Sequence, residues 1–370
     1  MPSQADQQPG PNTDWLSSLS AWPEQFGLET MKVLLDELDH PERAFRSIHV
    51  VGTNGKTTTT KRIEALLASE GVRSGATISP HVHGWAERIS VNGVEADLEL
   101  ALARVRPAGE SLQATQFEVI TAAAFTEFAA AAVEVAAVEA GLGGRYDATN
   151  LIASEVVVLT NVALEHTRWL GSTREEIALE KLAVIVPGAK VVLGEGEWGA
   201  PAREAGASSV SVVPQEELPR AAVEELLGRP LDTEALQTKI PGRLEWRSER
   251  ELWDGAHNPA GVAWLVEHLP RARWTIVCSI LSDKDVDSML EALAPLAGTL
   301  VATSSSSPRA LPAAELAARA EGLFERIEAV DDPAQALVRG RELAAPDGDV
   351  LVTGSLYLLA DLASLEEAVG

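Results

Sequence analysis

The sequence predicts an α/β protein of two domains, and three observations support this. Short apolar runs alternate with helix-like segments along most of the 370 residues, without the polar–apolar alternation of half-exposed strands, as expected of buried parallel strands. A glycine-bearing turn between the first strand and the next helix is typical of phosphate-binding sheets. A second alternating series begins near Pro241. We therefore expect a disordered tail over residues 1–14, a larger domain over 15–240 and a smaller one over 241–370.

The predicted strands follow the apolar runs. Those of the larger domain are 48–51, 74–78, 135–138, 156–159 and 190–193, and those of the smaller domain are 251–253, 274–279, 299–303 and 349–352. Between residues 194 and 238 the pattern weakens, and only a helix over 220–227 is predicted there. In open α/β sheets, ligands bind at the carboxyl ends of the strands.

Composition excludes several classes of protein. A net charge of −25 argues against binding nucleic acid through phosphate neutralisation. Cys278 is the only cysteine, which excludes an internal disulfide and a thiolate zinc site. The most apolar long stretch, 119–142, contains three glutamates, which argues against a membrane span. Since residues 1–14 also lack the pattern of a signal peptide, we expect a cytoplasmic protein. We also expect a monomer without membrane or nucleic-acid partners.

The turn after the first strand predicts nucleotide binding. Residues 52–58 read Gly52, Thr53, Asn54, Gly55, Lys56, Thr57 and Thr58. Backbone N–H groups of such a turn and the helix N-terminus favour phosphate, and the lysine reaches the β- and γ-phosphates. Either Thr57 or Thr58 can meet the Mg²⁺ that bridges them. Val50 replaces the first glycine of the GxxxxGKT pattern, and the turn alone does not specify a reaction.

Two further side chains follow strand ends at the same edge of the sheet. Glu139 ends the strand 135–138 and precedes a glycine-rich run, which makes it a candidate Mg²⁺ ligand. His166 follows the strand 156–159, although a surface histidine is the simpler interpretation because magnesium prefers oxygen ligands.

Lys181 occupies an unusual place on a predicted helix. Thr173 and Glu176 form a capping box that begins this helix. Lys181 lies in the middle of its apolar stripe, which includes Ile177 and Val184. Two interpretations remain open: a side chain that snorkels to solvent, or an amine pointed into the site with a lowered pKa, able to react with CO₂ and form a carbamate.

The smaller domain carries a dense polar turn. Arg243 precedes a predicted strand pair, and Asp254, His257 and Asn258 follow the next strand before a helix. Such a cluster suits ribose, phosphate or amino-acid contacts. An Asx turn would explain Asp254 or Asn258, but hardly both together with His257.

Together these segments resemble the folylpolyglutamate synthase and dihydrofolate synthase family of the Mur ligase superfamily, over about residues 15–359. The matching motifs are FGLETM at 26–31, GTNGK at 52–56, SPHVHGWAERISVNG at 79–93, TQFEVITAAAF at 115–125, EAGLGGRYDATN at 139–150, HTRWLGSTREEIALEK at 166–181, PGRLE at 241–245, DGAHNP at 254–259, SDKD at 282–285 and TGSLYL at 353–358.

The resemblance implies a P-loop domain of the Mur-ligase type followed by a smaller Rossmann-like domain. It implies that ATP phosphorylates a folate-type carboxylate and that L-glutamate attacks the acyl phosphate, with closure of the domains. The implied roles are nucleotide binding by residues 52–58, Arg243, Asp254 and Asn258; Mg²⁺ binding by Ser79, Glu139, His166 and a loop threonine; carbamylation of Lys181; contact with the pterin by Tyr146, Asp147 and Ala148; and binding of glutamate by His257 and Ser355.

The chain departs from the family pattern in four places. Thr57 stands where the family usually has glycine, Tyr146 replaces a leucine, and the short segment 194–241 lacks the helix that contributes to the family's adenine pocket. The sequence SAWPEQ at 20–25 does not preserve the segment that helps the family bind dihydropteroate. Two alternatives therefore stay open. One is another Mur-type amide ligase acting on a cell-wall precursor or a specialised metabolite, and the other is a nucleotide-binding partner subunit without ligase activity.

Overall fold

The computed structural model describes residues 10–21, 23, 26–231, 238–269, 273–344 and 348–369. The chain divides into two compact units, Met1–Pro80 with Trp85–Thr238, and His81–Gly84 with Lys239–Gly370. None of the helices in the described ranges combines the length and the apolar composition that crossing a membrane requires.

The first unit is built on a sheet of eight strands. They are β1 Arg46–Val51, β2 Ser74–Thr77, β3 Ile89–Val91, β4 Val94–Glu95, β5 Val135–Glu139, β6 Val156–Leu159, β7 Lys190–Leu193 and β8 Ser209–Val212. Their order in the sheet is β4-β3-β2-β5-β1-β6-β7-β8, and only the β2–β3 and β3–β4 pairs are antiparallel. Since β1 lies between β5 and β6 and is parallel to both, the carboxyl ends of these three strands meet at one edge.

Nine α-helices accompany this sheet within the described residues. They are α1 Pro11–Ser18, α2 Glu29–Glu37, α3 Lys56–Ser69, α4 Leu98–Leu112, α5 Gln116–Ala130, α6 Thr167–Leu170, α7 Arg174–Leu182, α8 Gly199–Glu204 and α9 Leu218–Leu227. Both faces of the sheet are covered, because Val135 and Ala137 of β5 pack into one apolar cluster and Ala136 and Val138 into another. This explains why the central strands are apolar throughout.

The second unit has a six-stranded sheet. Its strands are β9 Glu245–Ser248, β10 Glu251–Trp253, β11 Trp274–Cys278, β12 Ala297–Ala302, β13 Arg326–Ala329 and β14 Asp349–Thr353. Five parallel strands lie in the order β13-β12-β11-β14-β10, and β9 joins β10 antiparallel at the edge. Its described helices are α10 Pro259–His268, α11 Val286–Leu293, α12 Ala313–Arg319, α13 Pro333–Ala344 and α14 Leu356–Val369. The predicted fold class is confirmed, with a Rossmann-like sheet in the smaller unit.

Four strands that were not predicted from the sequence, β3, β4, β8 and β13, lie away from the sheet centres. The strands β8, with the sequence Ser-Val-Ser-Val, and β13, with Arg-Ile-Glu-Ala, are edge strands and only partly buried, so they lack the apolar run that marks a central strand. The β3–β4 hairpin turns at Asn92 and Gly93, which have φ of 51° and 76°. Asn-Gly is the preferred pair for such a turn, so this signal was available in the sequence.

The expected tail over residues 1–14 needs correction. Residues 1–9 lie outside the described residues, but α1 already begins at Pro11, so the prediction is wrong for residues 11–14. The carboxylate of Glu99 accepts hydrogen bonds from the backbone N–H groups of Asn12 and Thr13, at 3.0 and 2.8 Å. Because this cap comes from a residue far along the chain, no local pattern announces it.

The region around the domain boundary also differs from expectation. The segment 194–238 contains α8 and β8 besides the expected helix, which runs over Leu218–Leu227. The predicted boundary at residue 240 placed residues 81–84 in the larger domain, whereas His81–Gly84 group with the second unit. Val82 packs there in an apolar cluster with Trp253 and Leu359.

Candidate active site

The phosphate-binding turn lies between β1 and α3 and requires glycine at two positions. Gly52 has φ of 148°, and a Cβ there would lie 1.9 Å from Thr160 Oγ1. Gly55 has φ of 82° and immediately precedes α3. Both backbone conformations are ones that residues with a Cβ rarely adopt, so the glycine spacing follows from the shape of the turn.

Residues after β6 hold this turn in place. The backbone N–H groups of Thr53 and Asn54 donate to the backbone oxygen and the side-chain oxygen of Asn161, at 2.9 and 3.0 Å. The Thr160 hydroxyl donates to the Asn54 carbonyl at 2.7 Å. No role for Thr160 or Asn161 follows from the sequence, because short polar residues after a strand are common.

Lys56 lies over the turn. Its ammonium donates to the carbonyl oxygens of Gly52 and Thr53, each at 3.1 Å. A cation at the N-terminus of α3 adds to the positive end of the helix dipole. The arrangement concentrates positive charge and N–H groups at one spot, which suits the phosphates of a nucleotide.

Thr57, Ser79 and Glu139 come together beside the turn. Glu139 is 2% exposed, and one of its oxygens accepts the hydroxyl of Thr57 at 3.0 Å. The other oxygen accepts the backbone N–H of Ser79 at 3.1 Å. A buried carboxylate beside two hydroxyl-bearing residues is an oxygen donor set of the kind that Mg²⁺ prefers, so these residues fit the expected metal. Among the described residues, no three His, Cys, Asp or Glu side chains are grouped as metal ligands.

The amine of Lys181 lies at the same place. Lys181 is 1% exposed, so the snorkelling interpretation is wrong. Its ammonium donates to the Gly52 carbonyl at 2.8 Å and to the carboxylate of Glu165 at 3.0 Å. Burial lowers the pKa of Lys181, and the Glu165 carboxylate opposes that effect.

Glu165 is the main functional candidate that the sequence analysis missed. Burial by itself raises the pKa of this carboxyl, but the nearby charges of Lys181 and Lys56 lower it to about 2. His166, which precedes α6 with φ of 46°, adds to this effect. A single glutamate in a loop carries no distinguishing pattern, and only the fold brings it to Lys181.

The glycine-rich loop after β5 contains the three residues expected at the pterin. Tyr146 is 52% exposed, whereas Asp147 and Ala148 are 5% and 6% exposed. The Asp147 carboxylate accepts the backbone N–H of Leu142 at 2.7 Å and the hydroxyl of Thr149 at 2.5 Å. The aspartate side chain therefore holds the loop, and the tyrosine is the exposed side chain of the three.

In the second unit, the predicted polar residues make local hydrogen bonds. Asp254 is buried, which raises its pKa, and it accepts the backbone N–H groups of Leu244 and Ala256, each at 2.9 Å.

The side chains of Asn258 and Ser355 accept backbone N–H groups near the starts of α10 and α14. A nitrogen of His257 lies 2.8 Å from the Gly255 carbonyl, and Arg243 donates to the Gly242 carbonyl at 2.9 Å. Local turn contacts are thus made by Asp254, Asn258 and His257 together, a combination that a plain Asx turn was not expected to explain. Ligand contacts by these residues stay predictions.

Two family models match the chain. The Mur ligase middle domain matches residues 50–193, which include the phosphate-binding turn, Glu139 and Lys181. The Mur ligase glutamate ligase domain matches residues 242–356, which include the polar turn of the second unit.

Individual proteins are similar over nearly the whole chain. A dihydrofolate synthase/folylpolyglutamate synthase of Mycobacterium tuberculosis is 32% identical over 89% of this chain and 86% of its own length. The solved structure of Mycobacterium tuberculosis folylpolyglutamate synthase complexed with ADP matches with a TM-score of 0.86 and 30% identity, covering 95% of this chain and 96% of that one. A bifunctional folylpolyglutamate synthase/dihydrofolate synthase of Yersinia pestis, complexed with AMPPNP and a Mn ion, matches with a TM-score of 0.84 and 28% identity, covering 97% and 98%. The chain therefore belongs to the folylpolyglutamate synthase and dihydrofolate synthase family of the Mur ligases.

Proposed function

We propose that this protein is an ATP-dependent acid–amino-acid ligase that joins L-glutamate to the carboxylate of a folate-type substrate. The observation that carries the proposal is the grouping of Lys56, Thr57 and Glu139 beside one glycine turn, in a chain whose relatives are named for the synthesis of dihydrofolate and folylpolyglutamate. The match of the second unit to a glutamate ligase domain supports glutamate as the amine substrate.

The reaction proceeds in two steps. A carboxylate oxygen of the folate-type substrate attacks the γ-phosphorus of ATP. The bond between that phosphorus and the β,γ-bridging oxygen breaks, so that ADP is released and an acyl phosphate is formed. The neutral amine of glutamate then attacks the acyl carbon, the tetrahedral intermediate collapses with cleavage of the carbon–oxygen bond, and inorganic phosphate departs. The amine loses one proton in forming the amide.

The residues of the first unit have separate tasks in this reaction. Lys56 and the N–H groups of the turn stabilise negative charge on the transferred phosphoryl group. Thr57 and Glu139, together with Ser79 and His166, would hold Mg²⁺, which when bound neutralises phosphate charge. Tyr146 presents an exposed ring for contact with the substrate. Contacts of Arg243, Asp254 and Asn258 with the nucleotide, and of His257 and Ser355 with glutamate, complete the proposal.

The state of Lys181 is a separate prediction. The ion pair with Glu165 uses the amine as an ammonium, whereas a carbamate would place a negative charge there. Incubation with ¹³C-bicarbonate and observation of a carbamate carbon by NMR tests this directly, with a Lys181→Met variant as the control. A spectrum identical to that of the variant would refute carbamylation.

Substrate-dependent phosphate release tests the proposed activity. Dihydropteroate, tetrahydrofolate and a UDP-muramyl precursor are each offered with ATP, Mg²⁺ and a panel of amino acids, and the products are identified by mass spectrometry. We expect turnover that requires both a folate-type carboxylate and glutamate. Turnover with the muramyl precursor alone would identify a different amide ligase, and no stimulation by any pair would favour a partner subunit without ligase activity.

A lysine variant connects the activity to the site. Lys56→Ala should lower kcat by about 10²–10³, the scale of removing one positioned charge from a transition state, while the melting temperature stays close to that of the wild type. Lys32→Ala, on an exposed position of α2, is the matched control and should retain full activity. Undiminished glutamate incorporation by Lys56→Ala would refute the assignment. A monomeric, cytoplasmic enzyme is expected, which gel filtration and cell fractionation can check.

A further inference from the structure

A buried chain of hydrogen bonds connects β1 with the loop that carries Tyr146. His49, in the middle of β1, is 0% exposed, and its Nε2 lies 2.8 Å from Thr149 Oγ1. The Thr149 hydroxyl donates to one oxygen of Asp147 at 2.5 Å. The other oxygen of Asp147 accepts the backbone N–H of Leu142 at 2.7 Å.

The available protons determine which group donates in each hydrogen bond between His49, Thr149 and Asp147. Both oxygens of Asp147 accept backbone N–H groups, from Thr149 at 3.1 Å and from Leu142. Burial raises the pKa of this carboxyl, and the hydrogen bonds from Leu142 and Thr149 oppose that effect because they favour the ionised form. We assign the ionised form, since each oxygen already accepts a backbone N–H. The hydroxyl of Thr149 has one proton, which it gives to Asp147, so it must accept from His49. His49 therefore carries its proton on Nε2. Its Nδ1 has no hydrogen-bond partner among the described residues, which agrees with an unprotonated nitrogen.

Burial keeps His49 neutral. It lowers the pKa of the imidazole to about 3, so the ring does not titrate between pH 5 and 9. Because an unpartnered buried nitrogen is unfavourable, a histidine for packing alone would be poorly suited to this position. Unlike an apolar side chain of similar size, His49 supplies a hydrogen-bond donor, its Nε2–H.

The two ends of this chain of hydrogen bonds lie next to two parts of the proposed site, the phosphate-binding turn and the loop that carries Tyr146. His49 is three residues before Gly52 on the strand that leads into the phosphate-binding turn, and Asp147 is adjacent to the exposed Tyr146. We propose that His49 is a positioning residue: its Nε2–H orients the Thr149 hydroxyl, which holds Asp147 and thereby sets the loop of residues 141–147 for the folate-type substrate. This inference rests on the proposed function.

Steady-state kinetics of matched variants test it. His49→Leu removes the donor, and His49→Gln keeps an N–H at a comparable reach. We expect His49→Leu to raise KM for the folate-type substrate about tenfold or more, with KM for ATP within about twofold of the wild type. His49→Gln should restore most of the loss, and the pH profile between pH 6 and 8 should not change in any variant.

Two further measurements separate positioning from general destabilisation. Thr149→Val removes the hydroxyl with little change in volume, and the double variant with His49→Leu should be no worse than Thr149→Val alone, since both act through one chain. Hydrogen exchange provides a readout without activity: the Leu142 amide should exchange faster in His49→Leu, whereas amides of β7 should not.

The outcomes distinguish the two proposals. Wild-type protein without glutamate-dependent turnover of any folate-type carboxylate overturns both the function and the role of His49. Wild-type turnover with an unchanged KM in His49→Leu, an equal rise of both KM values, or multiplicative effects in the double variant overturns the role of His49 alone.

Discussion

Replacement of Glu165 by Gln should destabilise the first unit by about 3 kcal/mol at pH 7, because it leaves the Lys181 ammonium buried without its carboxylate. The two charged atoms are 3.0 Å apart, and the side chains of Lys181 and Glu165 are only 2% and 7% exposed. The pKa of Glu165 gives the same scale: the difference between 4.5 and about 2 corresponds to about 3 kcal/mol at about 1.4 kcal/mol per unit.

Scanning calorimetry measures this effect. For a unit of this size we expect the melting temperature to fall by about 6–12 °C, since about 1 kcal/mol corresponds to about 2–4 °C. Glu180→Gln is the matched control, because Glu180 pairs with Arg145 at 3.0 Å where the arginine is 49% exposed, and such pairs contribute at most about 1 kcal/mol. Lys181→Met combined with Glu165→Gln should melt higher than Glu165→Gln alone, since neither position of the pair then carries a charge.

The dependence on pH has a definite sign. The pKa of Glu165 is lower in the folded protein, so the stabilisation is complete above the unfolded value near 4.5 and is lost as the pH falls through about 2. The difference between wild type and Glu165→Gln should therefore shrink between these values. An unchanged or higher melting temperature for Glu165→Gln in CO₂-free buffer would refute this account of the pair. If bicarbonate reverses the sign, Lys181 has become an anion that Glu165 repels.

Two other predictions concern the turn and its metal. Thr57→Val should weaken the apparent affinity for Mg²⁺ by about 10–100-fold, whereas Thr58→Val should change it by about twofold at most; equal effects in a Mg²⁺ titration of activity would contradict the assignment. Gly52→Ala should destabilise the protein by well over 1 kcal/mol, because its Cβ would lie 1.9 Å from Thr160 Oγ1, whereas at Gly71, where no atom lies within 4 Å, alanine should lower stability by about 1 kcal/mol. Equal melting temperatures for the two alanine variants would show that the turn adapts.

The fold was largely predictable because its central strands are buried on both faces. Such strands are continuous apolar runs, and β1, β5, β6 and β7 were all predicted within two residues of their observed ends. The edge strands β8 and β13 are half-exposed and contain no continuous apolar run, so a search for apolar runs does not find them. The start of α1 depends on Glu99, a contact between residues far apart in the sequence, and no local rule could place it.

The sequence by itself determined the phosphate-binding turn and the family, because both depend on residue types at fixed spacing. The metal ligands that it suggested stay predictions. Only the tertiary structure decided which groups meet. It showed that Thr57 contacts Glu139, that Lys181 pairs with Glu165, and that His49 reaches Asp147 through Thr149. These contacts join segments between about 16 and 100 residues apart, and their energies depend on burial, since charges and hydrogen bonds interact more strongly where water is excluded.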